Sequence, residues 1–443
     1  MAAKTDIISA VQFYVDKIVA DPSVQGMKAL ILDPLTTKIV SMVYSQTQIL
    51  EKSVYLVELL GVEHDPMLHL KASLFVQPTE ANLALLIAEL RNPKYSEYHI
   101  YFSNVVPSDL LARLAREDVN EVVKQVQEYY ADFVPVNEDF FQLGATGSLS
   151  LSSPIRNIKT DQIFERNVNG LLSVLLATKK KPCQIRYQAS SDLARRVAND
   201  VLTRIEGDGI FMFQSQGPIL LILDRRDDPV TPLLTQWTYQ AMVHELLGLN
   251  YNRVVLKSVP GVKKELEEVV LSCTQDAFFA KNRYANFGDL GTAVKELLDE
   301  YQKDSKLNEK ITSIEDMQKF MERFPAFRSR GINVSKHVAI MGELARLTDV
   351  YKLLDISQLE QDMACSTDHS AHKKMLLDFL AQGKIQKSDK LRLSIIYLLK
   401  YESYGEVHEL KARLGEIGIA DSELAKLSAI LNYAGENQRA SGE

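Results

Sequence analysis

The first 133 residues alternate short apolar runs with segments whose apolar residues recur every three or four positions. Short apolar runs predict buried strands, and the longer spacing predicts helices with one buried face. Strands that alternate with helices are typical of a parallel sheet, so this part of the chain is predicted to be an α/β domain. The predicted strands cover residues 28–33, 54–58, 72–76 and 98–102, and the predicted helices cover 5–20, 34–51, 79–90 and 108–115.

A second α/β segment follows Val134-Pro135, where the proline interrupts the first pattern. A stretch rich in glycine and serine at 144–160 reads as a loop. Beyond it, helix-type and strand-type patterns alternate again, which predicts a second parallel sheet. The predicted helices cover 161–178 and 190–205, and the predicted strands cover 184–187, 219–223 and 253–256.

After Pro260 the pattern becomes almost entirely helical. The fold class predicted for the chain is therefore α/β plus all-α, with three domains at 1–133, 134–258 and 259–443. Phe324-Pro325 separates two of the predicted helices, because proline removes a backbone donor and clashes with the preceding turn. The predicted helices cover 262–271, 275–284, 290–304, 313–323, 333–354, 370–382, 388–401, 405–415 and 421–432.

The middle of the chain carries its most distinctive stretch. Ile219 to Leu223 are five consecutive apolar residues, which predict a strand buried on both faces in the middle of a sheet. An amphipathic helix with Trp237 in its core-facing pattern is predicted from Leu233 to Leu247, with Pro232 in its first turn. Between strand and helix lies a charged elbow made of Asp224, Arg225, Arg226, Asp227 and Asp228.

Two interpretations compete for the charged elbow. Asp224 and Asp227 could hold a metal ion in a nucleotide hydrolase, but such enzymes also need a phosphate-binding G-x-x-x-x-G-K-[ST] loop, which this sequence lacks. The alternative is structural, with the Asp and Arg side chains pairing with one another and capping the helix. The structural interpretation is favoured, and no catalytic residue, metal or cofactor is predicted.

Composition narrows the functional classes. The chain has 443 residues, of which 46% are hydrophobic and 25% charged, as in soluble globular proteins. A net charge of −7 disfavours binding to nucleic acid, and Lys179 to Lys181 form the one basic run, which is interpreted as a solvated helix end. No apolar run reaches the roughly 18 residues of a membrane span. A cytoplasmic protein is predicted, with three unpaired cysteines.

The segment LLILDRRDDPVTPLLTQWTYQAMVHELLG closely resembles the signature of the SM (Sec/Munc) family, whose members bind SNARE proteins and promote membrane fusion. Further matches at 27–33, 39–50, 55–58 and 334–344 resemble the endosomal branch of that family and extend the resemblance over essentially the whole chain. The resemblance implies an arch of three domains, the third inserted in the second. It also implies a non-enzymatic regulator of SNARE complex assembly that is recruited peripherally, through partners, to Golgi and endosome membranes.

The resemblance assigns two binding surfaces to the first domain. An outer apolar pocket would receive the N-terminal peptide of a syntaxin-type SNARE, and its lining matches Leu111 and Glu128. An inner face would meet the assembled SNARE bundle, and Lys38 and Glu58 fall where family contacts lie. The alternatives are plain helix core for Leu111 and a solvated face for Lys38 and Glu58.

In the third domain, the resemblance implies a helical hairpin bent around Pro325 that opens to template a vesicle SNARE, with Ile340 on the templating face. Helical periodicity alone favours a core position for Ile340. Family members continue beyond the position that matches residue 443 and complete the second sheet, so that sheet is expected to be unfinished here. A nucleotide hydrolase and a helical trafficking scaffold are the alternative functions.

Overall fold

The computed structural model describes residues 6–144, 157–207, 209–213, 217–308 and 314–439, and between 304 and 327 it describes the backbone of the helices. The chain divides into two compact units, Met1–Leu223 and Asp224–Glu443. The first contains a five-stranded sheet with helices, and the second is mostly helical. The predicted combination of α/β and helical structure is thus confirmed, while the division into three domains stays a prediction.

The sheet of the first unit is entirely parallel, in the order β2-β1-β3-β4-β5. Four of its strands were predicted, because their runs are mostly apolar, although Val54 is the one buried residue of β2. The sequence pattern missed β5, in which Val123 and Val126 are the two apolar residues of a partly buried strand that is otherwise Lys, Gln and Glu. The strands are β1 (Lys28–Leu32), β2 (Val54–Leu59), β3 (Lys71–Val76), β4 (Tyr98–Phe102) and β5 (Val123–Glu128).

Helices cover both faces of this sheet. Leucines of α4 and α5 share one core cluster with Ala29 and Ile31 of β1, whereas α2 packs on the other face, as right-handed crossovers on both sides of β1 require. Asp33 begins α2 by accepting the backbone N–H groups of Leu35 and Thr36. The helices are α1 (Ile7–Val19), α2 (Pro34–Val43), α3 (Gln46–Leu50), α4 (Glu80–Arg91), α5 (Ser108–Glu117), α6 (Ile158–Ala177) and α7 (Asp192–Gly207).

Two small sheets complete the first unit. The strands β6 (Val134–Asn137) and β7 (Phe140–Gln142) form an antiparallel pair, and β8 (Gln184–Tyr187) pairs in parallel with β9 (Ile219–Ile222). The prediction that 219–223 is buried on both faces was wrong, since Ile219 is 55% exposed and Leu221 57%. The physical reason is that, within the described ranges, β8 is the one strand that pairs with β9.

The second unit opens with short turns rather than the predicted helix over 233–247. Two 3-10 turns, Arg225–Asp227 and Thr231–Leu233, precede α8 (Tyr239–Met242), which continues into a π-helical turn, Val243–Leu247. Trp237 therefore precedes the helix instead of lying on it. A helix cannot form over 234–237, because Thr235 donates its N–H to Glu360 and the carbonyl of Trp237 accepts from Phe287.

An antiparallel sheet follows, formed by β10 (Leu249–Asn250), β11 (Arg253–Val255) and β12 (Glu268–Val270). Two predictions fail here, because 253–256 does not join a parallel sheet and 262–271 is a 3-10 turn and strand instead of a helix. The remaining helices are α9 (Ala277–Asn282), α10 (Phe287–Asn308), α11 (Ile314–Val350), α12 (Leu353–Cys365), α13 (His369–Ala381), α14 (Lys387–Lys400), α15 (Val407–Glu416) and α16 (Asp421–Ala434).

The predicted bend at Pro325 is absent, since α11 runs as one helix from Ile314 to Val350. The hairpin is made instead by α10 and α11, whose connection at 309–313 lies outside the described residues. The two helices approach closely at Gly331, where a Cβ atom would lie 2.6 Å from the hydroxyl of Tyr301. Packing along α10 and a length of 37 residues offset the cost of one proline, which is about 3 kcal/mol in a helix interior.

Candidate functional site

Leu111 lies on the solvent side of α5. The helix buries Leu110 and Leu114, which join the core cluster of the sheet, and leaves Leu111 41% exposed. Leu110 and Leu114 are four residues apart and therefore share one face, whereas Leu111 projects beside it. The structure thus excludes plain core for Leu111 and places an apolar side chain where a partner could reach it.

Glu128 ends β5 and holds the loop that leads into α5. Its carboxylate accepts the backbone N–H of Val106 at 2.7 Å. The loop then starts α5, where the N–H of Leu111 donates to the carbonyl of Pro107 at 3.1 Å. The two predicted pocket residues are therefore brought to the same edge of the sheet. Val126 is 37% exposed and lies on the same face of β5 as Glu128, so the edge offers apolar surface beside a carboxylate.

Lys38 and the side chain of Glu58 lie on opposite faces of the sheet. Lys38 is on α2, and Glu58 is on the edge strand β2, paired in register with Ile31, whose side chain belongs to the core beneath α4 and α5. The carboxylate of Glu58 accepts the hydroxyl of Tyr95 at 3.2 Å and lies 3.2 Å from the imidazole of His64. The structure therefore does not join Lys38 and Glu58 into a single patch.

Ile340 is fully buried in the second unit. It packs with Leu344 of α11 against residues of α8 and α10, among them Tyr239 and Leu290. The core position that periodicity favours is thus confirmed, and the predicted templating position is not on the surface in this conformation. A partner could contact Ile340 only if α11 separated from that core.

The charged elbow is held by its own side chains, as the structural interpretation predicts. Arg226 contacts the carboxylate of Asp224 at 3.0 Å, and the Asp224 side chain is only 5% exposed. Arg225 reaches Asp228 at 3.5 Å, and Asp228 accepts the N–H of Thr231 at 3.1 Å. Hydrogen bonds from Thr231 lower the pKa of Asp228. The caps stabilise 3-10 turns, however, and not the start of an α-helix.

Comparison with known proteins places these observations in a family. A model of the Sec1 family matches residues 28–439. The chain is 44% identical over 436 residues to vacuolar protein sorting-associated protein 45 of Dictyostelium discoideum. The match covers 98% of this chain and 76% of that protein. The Homo sapiens protein of the same name is 43% identical over 443 residues, with the same coverage. The chain belongs to the Sec1 family.

Solved structures of SM proteins have the same fold as this Sec1-family chain. A structure described as the SM protein Vps45 in complex with the Qa SNARE Tlg2 (1-310) matches with a TM-score of 0.89 and 43% identity. The match covers 97% of this chain and 78% of that chain. The fold and the elbow sequence therefore agree with the resemblance on which the site residues were assigned.

The Sec1-family chain also has a cavity, with several polar side chains in its lining, that sequence reasoning missed. It measures about 430 Å³ and lies beyond the carboxyl ends of β3 and β4, in the first unit. Its most buried charge is Asp132, which accepts hydrogen bonds from Gln77, Asn104 and Arg166 at 2.8 to 3.0 Å. Burial raises the pKa of Asp132, and Arg166 opposes that shift. These residues come from separate segments, so no local motif could have indicated the cavity.

Membrane-spanning helices and clusters of metal-ligating side chains are not found among the described residues. Within them, no helix is both long enough and apolar enough to cross a bilayer. Across the same ranges, no group of three or more His, Cys, Asp or Glu side chains is arranged to hold a metal ion. What the described residues do offer at the β5 edge is exposed apolar side chains, Leu111 and Val126, near the fixed carboxylate of Glu128.

Proposed function

We propose that this chain regulates SNARE complex assembly in vesicle docking and fusion by binding a syntaxin-type, or Qa, SNARE. The observation that carries the proposal is the 43% identity, over 97% of the chain, to an SM protein whose structure is a complex with a Qa SNARE. At that identity over nearly the whole chain, a binding surface that depends on the fold is expected to be retained. The working site would be cytoplasmic, at Golgi and endosome membranes.

The proposed contact for an N-terminal SNARE peptide is the edge formed by Leu111 and Glu128. Leu111 offers an apolar side chain that the protein itself leaves uncovered. Glu128 fixes the loop in front of α5, so the surface is rigid before the peptide arrives. A preformed apolar surface with a fixed polar rim favours an extended peptide, because little conformational entropy is lost on binding.

Contacts with a vesicle SNARE and with the assembled SNARE bundle belong to the same proposal. Lys38 and Glu58 are the predicted bundle contacts, and their separate faces mean that they would meet different parts of a partner. Templating through Ile340 requires a rearrangement of α11, since Ile340 is fully buried. With the three domain boundaries predicted from sequence, the N-terminal peptide contact and the bundle contacts would lie in the first domain and the templating contact in the third.

Binding rather than catalysis is the proposed mode of action. The nucleotide hydrolase alternative relies on Asp224 and Asp227 as metal ligands. Asp224 is almost fully buried and engaged by Arg226, so a metal ion would have to displace an ion pair to reach it. The structure therefore favours the role of the elbow as a support for the segment that follows it.

Leu111→Arg is the variant that tests the proposal. Placing a charge at an apolar contact should cost about 2 kcal/mol or more, which is about a thirtyfold loss of affinity. The matched control is Leu85→Arg, because Leu85 is also 41% exposed but lies on α4, next to Gly61 at the far edge of the sheet. Calorimetric titration with residues 1–310 of Tlg2 measures both variants.

The expected result is weak binding by Leu111→Arg and unchanged binding by Leu85→Arg. Circular dichroism would establish that both variants are folded. If both variants bind as tightly as the unmodified chain, the peptide contact is elsewhere. If the unmodified chain does not bind any Qa SNARE, the proposed function itself is wrong.

A further inference from the structure

An exposed aromatic ring in the middle of α1 lies beside lysines of α1 and of the segment that follows α6. Phe13 is 48% exposed, so about half of this large apolar side chain is open to solvent. The ammonium groups of Lys17 and Lys179 lie 5.6 Å and 5.4 Å from the centre of its ring. Lys180 and Lys181 follow directly in sequence. We name these five residues the Phe13 patch.

The middle and last turn of α1 and the end of α6 create the patch. Phe13 and Lys17 are four residues apart on α1 and therefore share a face. The α6 helix packs beside α1 and ends at Ala177, after which Lys179 takes a left-handed conformation with φ of 53°. Cations are favoured at helix C-termini by the helix dipole, which accounts for the lysines. The dipole does not account for the phenylalanine between them, whose side chain stays 48% exposed although Lys17 and Lys179 lie over its ring.

The acid that adjoins Lys17 in sequence does not cancel the positive charge of the patch. Asp16, next to Lys17 on α1, is paired with Lys52 at 2.9 Å and accepts the hydroxyl of Tyr44 at 2.8 Å. The chain as a whole carries a net charge of −7, so the patch is opposite in sign to the protein that bears it. A local basic surface on an acidic protein selects for an acidic partner.

We infer that the Phe13 patch docks on the surface of an anionic membrane. Lysines bind anionic headgroups, and an aromatic ring beside them can enter the interface between headgroups and acyl chains, while the flexible lysine stems keep their charges at the headgroups. Basic residues alone could bind any acidic polymer. The exposed ring can also make an apolar contact, which the acyl chains of a lipid surface provide. This inference goes beyond SNARE binding, because the contact needs no protein partner.

Flotation of the 443-residue chain with vesicles tests the inference. One set of vesicles contains phosphatidylcholine alone, and the other contains phosphatidylcholine mixed with phosphatidylserine. The chain should float with the second set only, and added salt should weaken that binding, because ions screen exposed charges. The triple variant Lys179→Gln, Lys180→Gln, Lys181→Gln and the single variant Phe13→Ala should each lose about tenfold or more in vesicle affinity.

Matched controls separate the patch from general effects of charge and apolarity. The triple variant Lys257→Gln, Lys263→Gln, Lys264→Gln removes the same charge from three exposed lysines of the second unit. Phe140→Ala removes a phenylalanine that is 47% exposed on β7. Both controls should bind vesicles like the unmodified chain.

Three outcomes would overturn the inference. The first is that the chain does not bind vesicles with phosphatidylserine. The second is that the patch variants and their controls lose vesicle affinity equally. The third is that the patch binds polyglutamate and the chain does not bind vesicles. The last outcome would identify an acidic polypeptide as the partner. Titration of the patch variants with the Tlg2 fragment keeps the two proposals separate, because SNARE binding should be unchanged when vesicle binding is lost.

Discussion

Replacing Asp276 with asparagine is expected to destabilise the second unit by about 3 kcal/mol. Asp276 caps α9 by accepting the N–H of Phe279 at 2.9 Å, and its carboxylate contacts the ammonium of Lys336 and lies 2.9 Å from Nε2 of His337. The opposite nitrogen of that imidazole is 2.8 Å from the hydroxyl of Tyr239. This buried network ties α11 to α8 and α9.

The expected loss follows from what asparagine keeps and what it removes. Asparagine is as good a helix cap as aspartate, so α9 should still begin at the same residue. The charge is lost, however, and Lys336, whose side chain is 10% exposed, remains as an uncompensated buried cation. Removing one partner of a buried pair costs about 3 to 5 kcal/mol. The lower end applies, because Lys336 also donates to the carbonyl of Val270.

Urea unfolding followed by the fluorescence of Trp237, the single tryptophan of the chain, measures this loss in the second unit. The matched control is Asp368→Asn, because Asp368 caps α13 in the same way but is exposed. It should change stability by only a few tenths of a kcal/mol. Adding Lys336→Met to the Asp276 variant should restore most of the loss. The reasoning is refuted if Asp276→Asn costs no more than Asp368→Asn.

The same network predicts a pH dependence. Burial alone would raise the pKa of Asp276, but the hydrogen bond from His337 and the charge of Lys336 hold that pKa well below its usual range. The folded-state pKa is therefore lower than the unfolded value of about 4, so the stabilisation is complete above that pH and is lost as the pH falls through the folded pKa. The difference in stability between the unmodified chain and Asp276→Asn should narrow below about pH 4.

Three further predictions concern backbone and edge positions. Gly342→Ala should stabilise α11 by up to about 1 kcal/mol, because the added Cβ would meet open space. Gly331→Ala should gain less or lose stability, because its Cβ would clash with Tyr301, and thermal melts of the two variants compare the effects. Pro325→Ala should slow amide exchange across 314–332, since it relieves the cost of a proline inside a continuous helix, and unchanged exchange would contradict that. Leu221 is exposed on β9, so Leu221→Lys should reduce any self-association through the edge of that strand in sedimentation experiments. If the variant and the unmodified chain sediment alike, the β9 edge is not a site of self-association.

The parts of the fold that were predictable are those governed by local rules. The strands β1, β3 and β4 lie inside the sheet, so their runs are mostly apolar and their bounds were predicted within a residue. Helices such as α4, with Thr79 as its cap, begin where a side chain satisfies the first N–H groups. The edge strand β5 was missed, because a strand buried on one side carries polar residues that resemble a loop.

The candidate site was predictable to a smaller extent. Family resemblance alone pointed to Leu111 and Glu128, and nothing in the local pattern distinguished Leu111 from its buried neighbours. The basic run at Lys179 was visible in the sequence, but its significance depends on Phe13, which is far away along the chain. Helical periodicity correctly favoured a buried Ile340, since one face of α11 must pack against the core.

The sequence by itself determined the α/β pattern of the first unit, the helical character of the second and the pairing within the charged elbow, because hydrophobic period, helix caps and adjacent charges act over a few residues. Tertiary structure decided whether α11 continues past Pro325, where the helix after Pro232 begins and which apolar side chains face solvent. Each of these depends on contacts between residues distant in sequence: α10 supports α11, Glu360 holds Thr235 out of a helix, and β8 leaves one edge of β9 without a partner among the described residues.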